Sequence, residues 1–195
     1  MAFRVLFLVL LSVLMMPCAQ ALTGNMDGAG EVIPVSGLHV WQTTEPDARP
    51  PFPSAPDHHF SGNFIELPTT EEERFYWVRL EFPSEMDLSG RYHLIADNPM
   101  VGEVRLFAQQ DDSLVYLYTA GDELPFAVRP VLRRNFVFPL EFIGDESAVY
   151  WCRVSNSGRQ VYLPFYLMRP DAYEMKEQGV MAYSTVMMGI MLCIA

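Results

Sequence analysis

The chain has 195 residues, is 50% hydrophobic, and carries a formal charge of -11 with one lysine, Lys176. That balance excludes nucleic acid as a partner, because phosphates are held by clustered lysine and arginine, and it excludes polybasic attachment to lipid. Neutral ligands stay open.

The chain opens with Arg4, an apolar run from Val5 to Met16, and small residues at Ala19 and Ala21. These are the three parts of a secretory signal, and cleavage after Ala21 is expected, giving a signal peptide over 1–21. An uncleaved anchor is the alternative, but so short a run rarely spans ~30 Å of hydrocarbon. Cys18 follows Met15, Met16 and Pro17 and does not read as a lipid-attachment cysteine. Removing the signal leaves Cys152 and Cys193, the second inside a C-terminal apolar run, so no intramolecular disulfide is expected. The exported part must then stand on buried apolar surface, and it is long enough for one domain.

Residues 22–37 read as a loose leader with one short strand near Glu31 to Val35, and Leu38 to Thr44 as another. Five prolines between Glu45 and His59 predict a loop. Short apolar or alternating runs follow: Phe75–Phe82, Arg91–Ala96, Glu103–Ala108, Leu114–Thr119, Asn135–Phe142, Ala148–Val154 and Val161–Met168. Turn residues separate them, and no helical period intervenes. The fold class expected is all-β: an antiparallel sandwich over 38–170, most simply jelly-roll-like, with an immunoglobulin-like sandwich as runner-up.

After the last strand, Pro170 ends the sheet and Asp171 with Glu174 forms a capping box. Gly179 to Ala195 then adds 17 residues without charge. In a helix these rise ~26 Å against ~30 Å of hydrocarbon. The expectation is a first transmembrane helix over 171–195, incomplete in this chain. A buried amphipathic helix is the alternative, but it would show charges at intervals and none follows Glu177.

Alternation gives the sharpest local signal. In Phe75–Phe82, Tyr76, Val78, Leu80 and Phe82 share one face, while Phe75, Trp77, Arg79 and Glu81 share the other. Tyr-Trp-x-Arg recurs at Tyr150 to Arg153. If those strands are neighbours, Trp77, Arg79, Trp151 and Arg153 occupy one sheet face. Such a face can stack a sugar ring and hydrogen-bond its hydroxyls. The competing reading makes both tryptophans core, with the arginines paired to Glu81 or Glu141. A second set, Arg129, Arg133 and Arg134, precedes Asn135 near Asp122 and Glu123, and can line an anion or sugar site or form local ion pairs.

His58 and His59 beside Asp57 lack the spacing that puts two metal ligands on one side of an element. Asp111 and Asp112 read as a turn, with structural calcium as a remote alternative. No nucleophile elbow, zinc-protease helix or phosphate-binding glycine loop is present, so no catalytic residue, metal or cofactor is expected.

Taken in order, Trp77-Val78-Arg79-Leu80, Asp97-Asn98-Pro99, Val104-Arg105-Leu106-Phe107, Gly121-Asp122, Pro125-Phe126, Arg129, Phe136 to Leu140, Tyr150 to Val154 and Leu163-Pro164 form a familiar set. From Leu38 to Tyr183 the chain resembles the periplasmic type 2 domain of bacterial seven-transmembrane receptors with diverse intracellular signalling modules. That resemblance implies a jelly-roll sensor similar to carbohydrate-binding modules, preceding membrane helices and a cytoplasmic output such as a diguanylate cyclase or histidine kinase. It carries over no proven contact residue.

The function expected is therefore periplasmic ligand sensing at the inner membrane of a bacterium, not an enzyme activity. A membrane-anchored carbohydrate-binding or protein-interaction module without signalling is the alternative, and an exported hydrolase a third. The expected partners are a small-molecule ligand, a carbohydrate by the resemblance, and the membrane through the C-terminal helix; pairing of two copies as a homodimer stays open. A ligand signal is expected to pass through Pro170 into the helix, because the connection is too short to be slack.

Overall fold

A computed structural model describes residues 32–35, 37–45, 56–82, 88–111, 113–142 and 148–194. The expected signal peptide, most of the leader and most of the proline-rich stretch lie outside these residues. Val32–Met168 form one compact unit, and the C-terminal helix belongs to a second.

Eleven strands are found among the described residues. They are β1 (Ile33–Pro34), β2 (Leu38–Thr43), β3 (His58–Phe60), β4 (Phe64–Leu67), β5 (Phe75–Phe82), β6 (Gly90–Ala96), β7 (Glu103–Gln110), β8 (Ser113–Ala120), β9 (Phe136–Phe142), β10 (Ala148–Ser155) and β11 (Val161–Met168). A single 3-10 turn, Phe126–Val128, interrupts the connection between β8 and β9. The pairings are antiparallel and make two sheets. One runs β3-β2-β5-β10-β7-β8; the other runs β1-β11-β6-β9, with β4 on the first half of β11.

The seven expected runs from Phe75 to Met168 are all strands, with ends shifted by at most two residues. Two further strands correct the expectation. β3 forms at the end of the stretch read as loop, because His58–Phe60 lies beyond the last proline and can donate its backbone N–H groups to β2. β4 is only four residues long and is held by its partner β11 rather than by its own pattern.

The period of two decides what is buried between the sheets. Val78, Leu80, Leu106, Cys152 and Val154 of the six-stranded sheet and Leu94, Phe136, Phe138, Leu163 and Phe165 of the other have no exposed surface and belong to one core. Rings lock the two layers: Phe82 meets Phe142 edge-on at 5.4 Å between centroids, and Tyr118 stacks with Phe138 at 6.4 Å. Cys152 is a free thiol in that core, and burial pushes its pKa well up. At the start of β7 and the end of β8 the chain crosses itself at Gly102 and Gly121. A Cβ on Gly121 would come within 2.0 Å of the Gly102 carbonyl oxygen, so only glycine fits.

The helix α1 spans Pro170–Ile194. It starts one residue earlier than the expected capping box, since proline suits the first helical position, where its missing N–H costs nothing. Asp171 therefore lies inside the first turn, where its charge favours the helix N-terminus. Beyond the buried Ala172 and Tyr173, the helix exposes Met175, Val180, Met181, Val186, Met188 and Met191. Among the described residues no helix is long and apolar enough to cross a membrane. Asp171, Glu174, Lys176 and Glu177 charge its first two turns, and the uncharged remainder of the helix is shorter than the hydrocarbon layer.

Candidate functional site

The outer face of the six-stranded sheet, turned away from the core, carries the unusual side chains. Strands β5 and β10 are neighbours, with Trp77 opposite Arg153 and Arg79 opposite Trp151. The two Tyr-Trp-x-Arg segments thus run antiparallel and bring Trp77, Arg79, Trp151 and Arg153 together on one face. Strands β2 and β7 flank them and extend the pattern into two rows. One row reads His59, His39, Arg79, Trp151, Phe107 and Tyr116 from edge to edge. The next reads Trp41, Trp77, Arg153, Arg105 and Thr119.

Three tryptophans pack into a small cluster of their own. Trp41 lies 5.1 Å from Trp151, and Trp77 meets Trp151 edge-on at 6.4 Å and Phe107 at 5.3 Å. All three indoles are buried, at 7%, 5% and 1% exposure for Trp41, Trp77 and Trp151. They make a second, smaller core under the face rather than an open platform. Trp151 donates its indole N–H to Gln109 Oε1 at 2.9 Å, which fixes the ring and the amide together.

The arginines divide by depth. Arg79 is partly exposed, lies 5.9 Å over the Trp151 ring and pairs with Glu81 at 2.9 Å. The partnership with Glu81 is one the alternation anticipated. Arg153 is buried, sits 5.1 Å over Phe75 and pairs with Glu103 at 3.2 Å; Glu103 also holds Arg105 at 2.9 Å. A buried guanidinium is tolerable only with such company. Arg79, Arg105, Phe107 and Gln109 are therefore the partly exposed groups over the packed indoles.

Arg129 and Arg133 lie elsewhere, in the connection between β8 and β9. Arg129 donates to the carbonyl oxygens of Arg133 and Arg134, both at 2.7 Å, between the rings of Phe126 at 4.7 Å and Phe136 at 4.9 Å. Its guanidinium is spent on closing this loop, and burial pulls its pKa down against the opposing charge of Asp122. Asp122 and Glu123 instead pair with Arg159.

His58 and His59 alternate along β3, so His59 alone faces His39, at 4.6 Å between rings. Among the described residues no group of three or more His, Cys, Asp or Glu is placed to hold a metal ion. Asp111 turns the β7–β8 hairpin with φ of 52°; Asp112 lies outside the described residues.

Sequence reasoning missed Trp41, Arg105, Phe107, Gln109 and the bridging Glu103. Alternation within β2 and β7 already puts Trp41 with His39 and Phe107 with Arg105 and Gln109. What it lacks is the strand order that joins these pairs to Trp77 and Trp151.

The described strands thus form a two-sheet antiparallel sandwich with one aromatic and arginine-bearing outer face. The family model described as 7TMR-DISM extracellular 2 matches residues 40–169, and the chain belongs to that family. The family is one of receptor extracellular sensor domains, not of enzymes. No curated protein matches the chain. Among solved structures, a β-glucosidase from Kluyveromyces marxianus in complex with glucose is similar at 9% identity and a TM-score of 0.42, over 78% of this chain and 21% of that one. The chain thus spans about a fifth of that enzyme, and so loose a likeness carries no argument about activity.

Proposed function

We propose that the sandwich receives a carbohydrate or a related small molecule on the outer face of its six-stranded sheet, as the sensing part of a membrane receptor. The observation that carries this reading is the row in which Arg79, Trp151 and Phe107 cross three adjacent strands. Aromatic carbon suits the C–H face of a sugar ring, and guanidinium and amide groups suit its hydroxyls. In this reading Arg79, Arg105, Phe107 and Gln109 touch the ligand. Trp77, Trp151 and Arg153 hold them in place from beneath, and Arg129 and Arg133 shape the adjoining loop.

The fold is read as jelly-roll-like and kin to carbohydrate-binding modules. Residues 1–21 act as the export signal, the sandwich works in the bacterial periplasm, and α1 enters the inner membrane with its exposed methionine and valine side chains against lipid. Only Arg169 separates β11 from α1, so a displacement of the strand has little slack in which to be lost.

The test is binding of the full chain to a panel of sugars, amino acids and organic acids, by thermal shift and then calorimetry. A sugar hit should weaken at least tenfold in Arg79→Ala and in Phe107→Ala. Unchanged affinity in both variants would move the site off this face.

A further inference from the structure

The five-stranded sheet has an outer face of its own, built from different chemistry. Leu163 and Phe165 of β11 lie in the core, so Tyr162, Pro164 and Tyr166 lie on the other side. β4 sets Phe64 opposite Pro164 and Glu66 opposite Tyr162. Past the end of β6 the register continues for one residue. Asp97 donates its backbone N–H to the Pro164 carbonyl at 2.9 Å, and its carboxylate accepts from the Asn135 amide. Asp97 thus lies between Tyr162 and Tyr166, its diagonal neighbours on β11 at roughly 7–8 Å, which long side chains can bridge.

Tyr162 is 52% exposed and lies against Phe64, with ring centroids 4.7 Å apart. Its carbonyl accepts from the Asn98 amide at 2.8 Å, which ties β11 to the segment that carries Asp97. Burial raises the pKa of Tyr166; the charge of Asp97 and then Tyr162 add to the rise, and a hydrogen bond with Asn63 opposes it. The half-buried Asp97 carboxylate and the two phenols therefore share one patch. Elsewhere Glu81, Glu103, Asp122 and Glu123 each meet an arginine. Among the described residues neither Asp97 nor Glu66 is paired with a cationic side chain; Glu66 accepts from Gln160 at 3.1 Å.

We propose that this patch binds a primary ammonium group, with the ligand's carbon chain laid on the rings of Tyr162 and Phe64. Charge and donor count select this class. An ammonium ion has three N–H donors and no acceptor, and the Asp97 carboxylate and the Tyr166 hydroxyl supply acceptors. A hydrogen bond between opposite charges is among the strong ones, and an aromatic face attracts a cation within about 6 Å. An anionic ligand is repelled by Asp97 and by the formal charge of -11, which instead draws cations to the surface. A neutral ligand leaves the charge of Asp97 unanswered. The site is independent of what the outer face of the six-stranded sheet binds.

The test is calorimetric titration of the full chain in nonionic detergent micelles, with heats from empty micelles subtracted. Three probes separate charge, donors and apolar contact: n-propylammonium, tetramethylammonium and n-propanol. Saturable binding of n-propylammonium is expected, with tetramethylammonium at least tenfold weaker and n-propanol silent. Asp97→Asn, which keeps the shape and removes the charge, should weaken n-propylammonium at least tenfold. Tyr162→Ala, at an exposed position that the fold does not depend on, should weaken it at least threefold. Arg79→Ala, on the opposite sheet, should leave it unchanged. Equal binding of n-propanol or of tetramethylammonium, or full affinity in Asp97→Asn or in Tyr162→Ala, would each overturn the proposal. So would a loss in Arg79→Ala, which would move the amine to the other face.

Discussion

The two faces of the six-stranded sheet are both buried, yet they are built on different principles. On the inner face Val78, Leu80, Cys152 and Val154 are sealed against the opposite sheet, and shape alone decides what fits. On the outer face Trp41, Trp77 and Trp151 are nearly as deep, but each row of rings is crossed by arginines with carboxylate partners. The inner face holds the fold together. The outer one uses a second core to hold charged groups in fixed positions, the arrangement that the proposed ligand site needs.

That contrast can be broken in a graded way. Leu80→Ala, which opens a cavity in the inner core, should cost about 2–5 kcal/mol in urea unfolding. On the outer face Glu103→Ala removes the carboxylate that pairs with the buried Arg153 guanidinium, and a loss of about 3 kcal/mol is expected. If Glu103→Ala proves neutral, the outer face is ordinary solvated surface.

Alkaline titration isolates the inner face. Burial raises the pKa of Tyr76, against the opposing effect of Arg74, and of Tyr150, with Tyr118 adding to it; burial alone raises Cys152. Each loses its proton in the unfolded chain before it does in the fold. Stability should thus be level below about pH 8.5, the ordinary thiol value, and fall as pH rises through that value and then through about 10. Cys152→Ala should flatten the first part of the fall in a series of melting curves. A melting temperature unchanged up to pH 10.5 would count against buried protonated groups.

Smaller effects separate the parts of the outer face. Trp151→Phe keeps an aromatic ring but loses the bond to Gln109, for about 1 kcal/mol. Glu81→Ala removes only a partly exposed partner of Arg79 and should cost less than about 1 kcal/mol. If these two rank in the opposite order, Arg79 and not the indole cluster organises the face.

Much of this division is legible in the sequence. The alternation in Phe75–Phe82 assigns Tyr76, Val78 and Leu80 to one side and Trp77 and Arg79 to the other, and the sheet keeps that division. Trp77 and Trp151 were also readable as a pair from their repeated setting. The reading that makes Trp77 and Trp151 core is the one the structure bears out, and what was not legible is that Trp41 completes their cluster. His58–Phe60 was hidden as well, because three residues after a proline-rich run carry no period of their own. Arg129 and Arg133 looked equivalent in the chain, yet Arg129 turns inward to close its own loop.

By itself the sequence determined the seven strands from Phe75 to Met168 to within two residues, the two faces of Phe75–Phe82 and the start of the C-terminal helix to within one residue, because a pleat alternates locally and a proline acts locally. Only the tertiary structure decided that β2, β5, β10 and β7 lie side by side, that their outer residues pack into a second core, and that β8 ends the sheet. Those outcomes depend on which distant segments pair. The pairing free energy is shared by whole strands and the loops between them, and no short run of residues records it.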